Sequence, residues 1–476
     1  MGQEILRTRF SRRDFEEFNQ RLQNETELLK QWFRDKHFVG EKYVGGFELE
    51  TWLVDEKYQP VPRNSEFIKK LNSPLVTPEL AKFNVELNGE PRQLRGNALQ
   101  LIHEELTHTW EICNQMANDM DMQMVMTGIL PTLRKDQLTL KNMSTMKRYR
   151  ALNEQVFKLR KSKPLKLDII GTEHLKLDHS DVMLESAATS FQVHLQVPPE
   201  LAVRFYNAAQ IIAGPMVAIT ANSPYLFGKE LWEETRIPLF EQAVEVGGFD
   251  GAAYGPMRRV TFGSDYIRES MMECFTENAQ HYPPLLPILF DDSPETMSHL
   301  RLHNGTIWRW NRPLIGINNN QPHLRIEHRV IPGGPTIIDE IANMALFFGL
   351  SQHLATREVP PELQLSFSDA RDNFYTAAKF GLNAHLVWLE GKKVGAQMLL
   401  INELLPMAKY GLEKLGIDES DILRYLGIIE GRINNACNGA AWQKAYVAKH
   451  GRDMNALTAA YVERQQSGLP VHEWDI

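Results

Sequence analysis

The chain is predicted to be an α+β protein in which strands and helices mix up to about residue 350 and helices dominate the remainder. Two observations predict this. Several short segments alternate polar and apolar residues with the period of a strand, and the stretches between them repeat apolar residues at the three and four spacing of a helix. From about Ser368 onward only the helical spacing recurs, and no internal repeat of fixed period points to a solenoid or propeller.

The first element is an amphipathic helix. Phe15, Phe18, Leu22, Leu29 and Trp32 fall near helical spacing between Arg12 and Phe33, and Ser11 with Asp14 can cap its start. "VGGFELETWLVD", Val44 to Asp55, reads as a strand bounded by a glycine pair and an acidic turn. A Pro-rich loop around "YQPVPRN" comes next, then a short strand "NVELNG", Asn84 to Gly89, and a long helical pattern from about Ala98 to Met122. Further strands are expected along "DVMLESAATSFQVHLQV" and "HLRIEHRVI". Helices are expected from Ala202 to Ala221 and from Thr336 to Leu350, the second opened by Thr336 and Asp339 as a capping box. "VGAQMLLINELLPMAKYGLEKLG" and "SDILRYLGIIEGRINNAC" carry the helical spacing of the last section. No glycine-serine or charged linker sets that section apart. Residues 1–476 are therefore read as a single domain, with an N-terminal helix in 1–36, a sheet-containing core in 40–350 and a helical section in 368–476.

Composition narrows the function classes. At 476 residues, 43% hydrophobic and 24% charged, this is an ordinary folded protein. A net charge of -8 supplies no basic field for nucleic acid or an acidic membrane, so an anionic ligand would need local arginines or bound metal. Cys113, Cys274 and Cys437 are odd in number, widely spaced and without a CxxC, which fits a reducing compartment and argues against a thiolate zinc site. The start "MGQEILRTRFSRRDF" has no apolar signal region, Leu6 stands where myristoylation requires Ser or Thr, and no later stretch reaches membrane-spanning length. A cytoplasmic location is expected, with no nucleic-acid or membrane partner; the oligomeric state stays open, a homo-oligomer included.

The strands share one habit. Glu48 and Glu50 lie two apart and project to the same face, where desolvated carboxylates repel unless one is protonated or a cation sits between them. In "NVELNG" Glu86 falls on the polar face between Val85 and Leu87. In "SFQVHLQV" Gln192, His194 and Gln196 alternate with Phe191, Val193, Leu195 and Val197, and in "LRIEHRV" Arg325, Glu327 and Arg329 oppose Leu324, Ile326 and His328. A solvated sheet face would normally show Lys, Thr and Ser, so this narrow choice suits a cleft. Carboxylates with one neutral imidazole form a ligand set for Mg²⁺ or Mn²⁺, and arginines on the same face can hold phosphate or carboxylate with two parallel hydrogen bonds. Metal plus arginine suggests a nucleotide phosphate. The alternative is a set of interstrand ion pairs, Glu48 with Arg325 for example.

Other motifs carry less. "HEELTHTW" is not a zinc-protease signature, because His103 and His108 are five apart and do not share a helix face. The turn at Asn222-Ser223-Pro224 can expose Asn222, and "GTIWRWNRPLIG" holds Arg309 and Arg312 beside Trp308 and Trp310, so either could line a site; plain core packing is the simpler reading of the tryptophans. "PGGPT" lacks the lysine of a phosphate loop and reads as a turn. No GxSxG or Cys/His nucleophile pattern occurs.

With these residues assembled, the sequence resembles the second family of glutamate-cysteine ligases, carboxylate-amine ligases of the glutamine synthetase-like superfamily. "GFELETWLVD" is similar to the family's GxExE strand and "NVELNG" to its next acidic strand. "SFQVHLQV" is similar to its Gln/His strand, "ANSPYLFG" to its Asn-Ser-Pro turn, and "LRIEHRVIP" to its Glu-x-Arg strand; "GTIWRWNRP" lies between the last two. The motifs run in order from Gly46 to Pro332. Departures are the N-terminal helix, the long tail ending "GLPVHEW", and Glu185 in "VMLESAATS", where relatives often carry arginine or another polar residue; substrate choice is the property this leaves open.

The resemblance implies a single catalytic domain built on a curved, mostly antiparallel sheet that forms a funnel-shaped cleft, with helices outside, ATP entering one end and two substrates the other. Glu50 and Glu86 would hold one Mg²⁺ (or Mn²⁺) near the acceptor carboxylate, and Glu48, His194 and Glu327 another between ATP phosphates. Gln192, His194 and Arg312 would lie toward ATP. Arg329 would clamp a substrate carboxylate or developing phosphate charge, with Arg236 and Asn222 as further substrate contacts and Glu48, Glu50 and Arg329 as the catalytic set. The implied reaction forms a γ-glutamyl amide from glutamate and cysteine, or a related amine, through an acyl phosphate, and belongs to glutathione biosynthesis. Two alternatives stand beside it: a phosphotransferase of the same fold acting on a guanidino compound, and an ATP- and metal-binding protein without turnover.

Overall fold

Alternating strands assemble into one central sheet. The computed structural model describes residues 5, 7–40, 42–246, 258–319 and 321–476; Met1–Glu4 and Leu6 of the N-terminal segment lie outside them. Its strands run in the order Asn311–Asn318, Gln321–Pro332, Ser190–Val197, Val44–Val54, Asn84–Asn88 and Val76–Pro78, each neighbouring pair antiparallel. Arg92–Gln93 and Gln123–Val125 pair with the two ends of the Val44–Val54 strand. The sheet curls into a half-barrel, the architecture the resemblance implies.

One face of this sheet is core. Phe47 pairs with Val193 and Leu195 with Ile326, and this face meets the buried helices Ala202–Thr220 and Ile337–Ala355. His328, on the same face, shares a 2.6 Å hydrogen bond with Asn311 through Nδ1 and stacks on Phe347 at 4.2 Å, so it is held as a core histidine. A Cβ added at Gly45 would lie 2.7 Å from Leu94 and Phe348, which is why glycine stands at the second position of the strand. One hydrophobic cluster extends from Phe18 to Trp474.

The helical ends are tied in. The N-terminal helix, Arg12–Arg34, starts with the expected Ser11–Asp14 capping box. Its buried Glu25 accepts from His299 Nδ1 at 2.5 Å and from the Leu300 amide at 2.7 Å, docking it on the helix Ser298–Gly305. Thr336 caps the helix Ile337–Ala355 as expected, accepting from the Asp339 amide. Helices Leu405–Leu415 and Glu419–Asn434 pack on that helix, and Arg432 pairs with Asp339 at 2.6 Å in the interior. No helix among the described residues is long and apolar enough to cross a membrane.

Three local expectations are corrected, and one hairpin is added. "DVMLESAATSFQVHLQV" is not strand throughout: Val182–Ala187 is a 3-10 turn, started by the Asp181 side chain accepting from the Met183 amide, and the strand begins at Ser190. The final section is not uniformly helical, because a hairpin of His385–Trp388 and Lys392–Gly395 comes after the helix Phe367–Phe380. The long helix from Ala98 stops at Asn118, short of Met122. A hairpin of Leu165–Ile170 and His174–His179 also forms, its signal being the alternation of Leu165, Leu167 and Ile169 with Lys166 and Asp168.

Candidate active site

Register collects the polar residues on the opposite face. Glu50 pairs with Glu86, Glu48 with Gln192, His194 with Glu327, and Glu327 with Arg312; paired residues share a face, so side chains from five strands converge. Two trios result. Ligand atoms of Glu48, His194 and Glu327 lie within 4.8 Å of one another, and so do those of Glu50, Glu79 and Glu86.

The first trio is charge-balanced by arginine. Glu327, 2% exposed, takes a two-pronged contact from Arg312 at 2.8 and 2.9 Å and a further bond from Arg329 at 3.0 Å. Burial opposes its ionisation, but Arg312, Arg329 and His194 hold its carboxyl far below the ordinary range. Burial likewise opposes ionisation of Glu48, and His194, 3.4 Å away, outweighs it and keeps that carboxyl low. Both ring nitrogens of His194 are buried without a hydrogen-bond partner among the described residues, and Nε2 lies 3.4 Å from Glu48 and 3.9 Å from Glu327, a donor set that would fit a cation. The pairing of Glu48 with Arg325 does not form. Glu48 faces His194, while Arg325 makes no ion pair among the described residues and its Nε is buried without a hydrogen-bond partner.

The second trio is charge-frustrated. Burial, then Glu79, push the Glu50 carboxyl up to about 7, against the pull of Arg329. Burial, then Glu48, Glu79 and Glu50, raise Glu86 well above the carboxylate range, and burial raises Glu79 despite Arg148 nearby. Glu50 is aimed by the Ser190 amide at 2.7 Å and by Gln192 Nε2 at 3.0 Å; Glu86 receives Thr77 Oγ1 at 3.2 Å. Three oxygen donors that repel one another at this range fit a hard divalent cation of the Mg²⁺ or Mn²⁺ kind.

Sequence reasoning missed Glu79, Arg148 and Tyr149. Glu79 sits just past the three-residue strand Val76–Pro78, outside any alternation that could have flagged it. Arg148 donates to Tyr149 Oη at 2.8 Å with its guanidinium over the same ring, and Tyr149 Oη in turn donates to the Pro78 carbonyl, so this pair backs the segment that carries Glu79.

Arg329 lies between the trios. It bonds Glu327 and Gln192 Oε1, and its charge also acts on Glu50. A β-bulge between His328 and Ile331 displaces it, and Arg236 pins that bulge by donating to the carbonyls of Arg329 at 3.2 Å and Val330 at 2.5 Å. Arg236 is 3% exposed and paired with Glu234 at 3.2 Å, so its guanidinium braces the site while its charge also acts on Glu50. Asn222 is not exposed by its turn. It is fully buried and bonds the Gly333 carbonyl, Tyr461 and Gln443, which makes it a strut between the Gly333 loop and the C-terminal helices. Arg309 pairs with Glu277 at 3.3 Å in the interior, and Trp310 is core, its Nε1 donating to Glu241.

The model of glutamate-cysteine ligase family 2 matches residues 44–458. Among solved structures, the chain is similar to the glutamate-cysteine ligase of Francisella tularensis in complex with AMP, with a TM-score of 0.54, 10% identity and 90% of each chain covered. It is also similar to a bifunctional glutathione synthetase from Pasteurella multocida, with a TM-score of 0.52 and 10% identity, covering 94% of this chain and 54% of that one. At such identity these two likenesses speak for the fold. Comparison with curated protein sequences found no match. Family membership supports a ligase that joins a carboxylate to an amine. With the matched region taking in the whole sheet and most of the helical section, the chain belongs to glutamate-cysteine ligase family 2.

Proposed function

We propose that the protein is an ATP-dependent ligase that joins the side-chain carboxylate of glutamate to an amine, with cysteine the leading candidate, through an acyl phosphate. The observation that supports this most is the pair of ligand trios on one sheet face with Arg329 between them. The arginine-rich trio, with Arg312 and Arg325 on the same face, suits the phosphates of ATP. The frustrated trio of Glu50, Glu79 and Glu86 suits the reacting carboxylate. Divalent cations held by the two trios would supply charge neutralisation and Lewis acidity toward phosphoryl and carboxylate oxygens. The chain's own residues then position. Ser190 and Gln192 fix the Glu50 carboxylate, Arg312 fixes Glu327, and the Arg329 fork orients the acceptor carboxylate in line with the γ-phosphoryl group. Transfer gives ADP and an acyl phosphate; the amine attacks the acyl carbon, a C–N bond forms, and inorganic phosphate leaves.

The test is ADP release by purified protein with glutamate, Mg²⁺ and a panel of amines, with mass spectrometry of the product. Amine-dependent ADP with a matching new amide is expected. A phosphorylated product without amide would indicate a phosphotransferase, and ATP binding without ADP release would indicate a binding protein.

A further inference from the structure

Glu185 is a carboxylate that the two trios do not use. It sits on the 3-10 turn Val182–Ala187, five residues before Ser190, whose amide fixes Glu50. Its Oε2 is sealed from solvent and has no hydrogen-bond donor among the described residues. The turn runs into the strand whose first residue, Ser190, holds the Glu50 carboxylate, and Glu79 and Glu50 repel Glu185 while Arg329 attracts it, which puts it beside the Glu50–Glu79–Glu86 end of the cleft. It is nevertheless outside that trio of convergent ligand atoms. The cations nearby are engaged elsewhere: Arg329 bonds Glu327 and Gln192, and Arg236 bonds Glu234 and two backbone carbonyls. A divalent ion on the trio would answer Glu50, Glu79 and Glu86 and leave Glu185 needing its own positive partner with hydrogen-bond donors.

We propose that Glu185 is a specificity-determining residue that binds the ammonium group of the organic substrate entering the Glu50–Glu79–Glu86 end of the cleft. An ammonium supplies both the positive charge and the N–H donors that Oε2 lacks, whereas the ligand atoms that converge for a metal ion do not include Glu185 and a guanidinium is bulkier than one carboxylate oxygen requires. The consequence is selection for amine-bearing substrates over des-amino analogues of the same length. This rests on the ligase reading for the identity of the substrates, but not for the binding itself.

The experiment measures binding by calorimetry in the presence of Mg²⁺ and a non-hydrolysable ATP analogue, so turnover is not needed. Two matched pairs are used: glutamate against glutarate, and cysteine against 3-mercaptopropionate. For the wild type, at least one amine should bind better than its des-amino partner, and Glu185→Gln should cut that preference about tenfold to a hundredfold, as loss of a charge-assisted hydrogen bond does. Affinity for Mn²⁺ and for the ATP analogue should stay unchanged, and an unaltered melting temperature would exclude misfolding. A preference that survives in Glu185→Gln for both pairs, or its absence from the wild type, overturns the assignment. So does a parallel fall in Mn²⁺ affinity, which would make Glu185 a metal ligand. Amide formation with an undiminished preference would remove Glu185 alone and leave the ligase reading standing; a Glu185-dependent preference without amide formation would do the reverse.

Discussion

Glu50 and Glu86 stand directly opposite one another across an antiparallel strand pair, both on the cleft face, with Glu79 completing a trio of oxygens. Like charges in that position destabilise a sheet, and the first trio escapes the problem because Arg312, Arg329 and His194 surround its acids. The two halves of the cleft should therefore respond differently to the same kind of change.

In metal-free protein, Glu50→Gln and Glu86→Gln are expected to leave the melting temperature unchanged or raise it, by removing repulsion. Glu48→Gln is expected to lower it, because Glu48 is held ionised beside His194. Thermal melts in EDTA check this, and destabilisation by all three alike would favour ordinary ion pairing at both trios.

The Glu50 and Glu185 carboxyls should each contribute less to metal-free stability as pH rises. Glu50 and Glu185 have folded values of about 7 and about 8 against an ordinary 4.5, so the folded state binds more protons than the unfolded state between those limits. Their contribution is fully present below about pH 4.5 and is lost as pH climbs to about 8. Glu327 acts in the opposite direction, its contribution being lost only as pH falls below the ordinary carboxylate value. Urea melts at several pH values in EDTA should show the wild type losing stability relative to Glu50→Gln between about pH 5 and 8, and less so with saturating Mg²⁺; the buried His303, His323 and His328, whose pKa values burial lowers, act in the opposite direction in both proteins and cancel in this difference. A flat difference in EDTA would contradict the charge frustration of the second trio.

Arg329→Lys keeps the charge but removes the fork. Loss of one charge-assisted bond, about 1.5 to 3 kcal/mol, corresponds to a fall in kcat/KM for glutamate of roughly tenfold to more than a hundredfold, with ATP affinity nearly unchanged. Steady-state kinetics paired with ATP calorimetry read this out; weakened ATP binding with an unaltered glutamate KM would move Arg329 to the phosphate clamp.

Arg325→Ala should do the converse. Arg325 lies two residues before Glu327 on the cleft face and forms no ion pair among the described residues, so its removal is expected to raise the KM for ATP while the glutamate KM stays constant. An unchanged KM for ATP would place the phosphates elsewhere on the sheet.

In the interior, Arg432 donates to Asp339 at 2.6 and 3.1 Å and to Asn343, and the Val471 amide also reaches the Asp339 carboxylate at 3.1 Å. Arg432→Leu strands a buried carboxylate and should destabilise the fold by about 3 to 5 kcal/mol. Double substitution with Asp339→Leu should recover part of the loss, which urea denaturation would measure.

The sequence by itself determined which side chains share a face within each strand. Alternation is a local property of an extended backbone, so Glu48 with Glu50, Gln192 with His194, and Glu327 with Arg329 were legible as same-face sets, as were the capped helices at Ser11 and Thr336. Tertiary structure decided what faces what. The register that sets Glu50 against Glu86 and His194 against Glu327 depends on contacts between segments far apart in the chain, which no local period encodes. Glu79 joins its trio from the segment just past a three-residue strand, where no repeating pattern marks direction. Asn222 and Arg236 are drawn inward because helix ends and a strand bulge bury backbone carbonyls that need donors, a demand that exists only once those elements pack together.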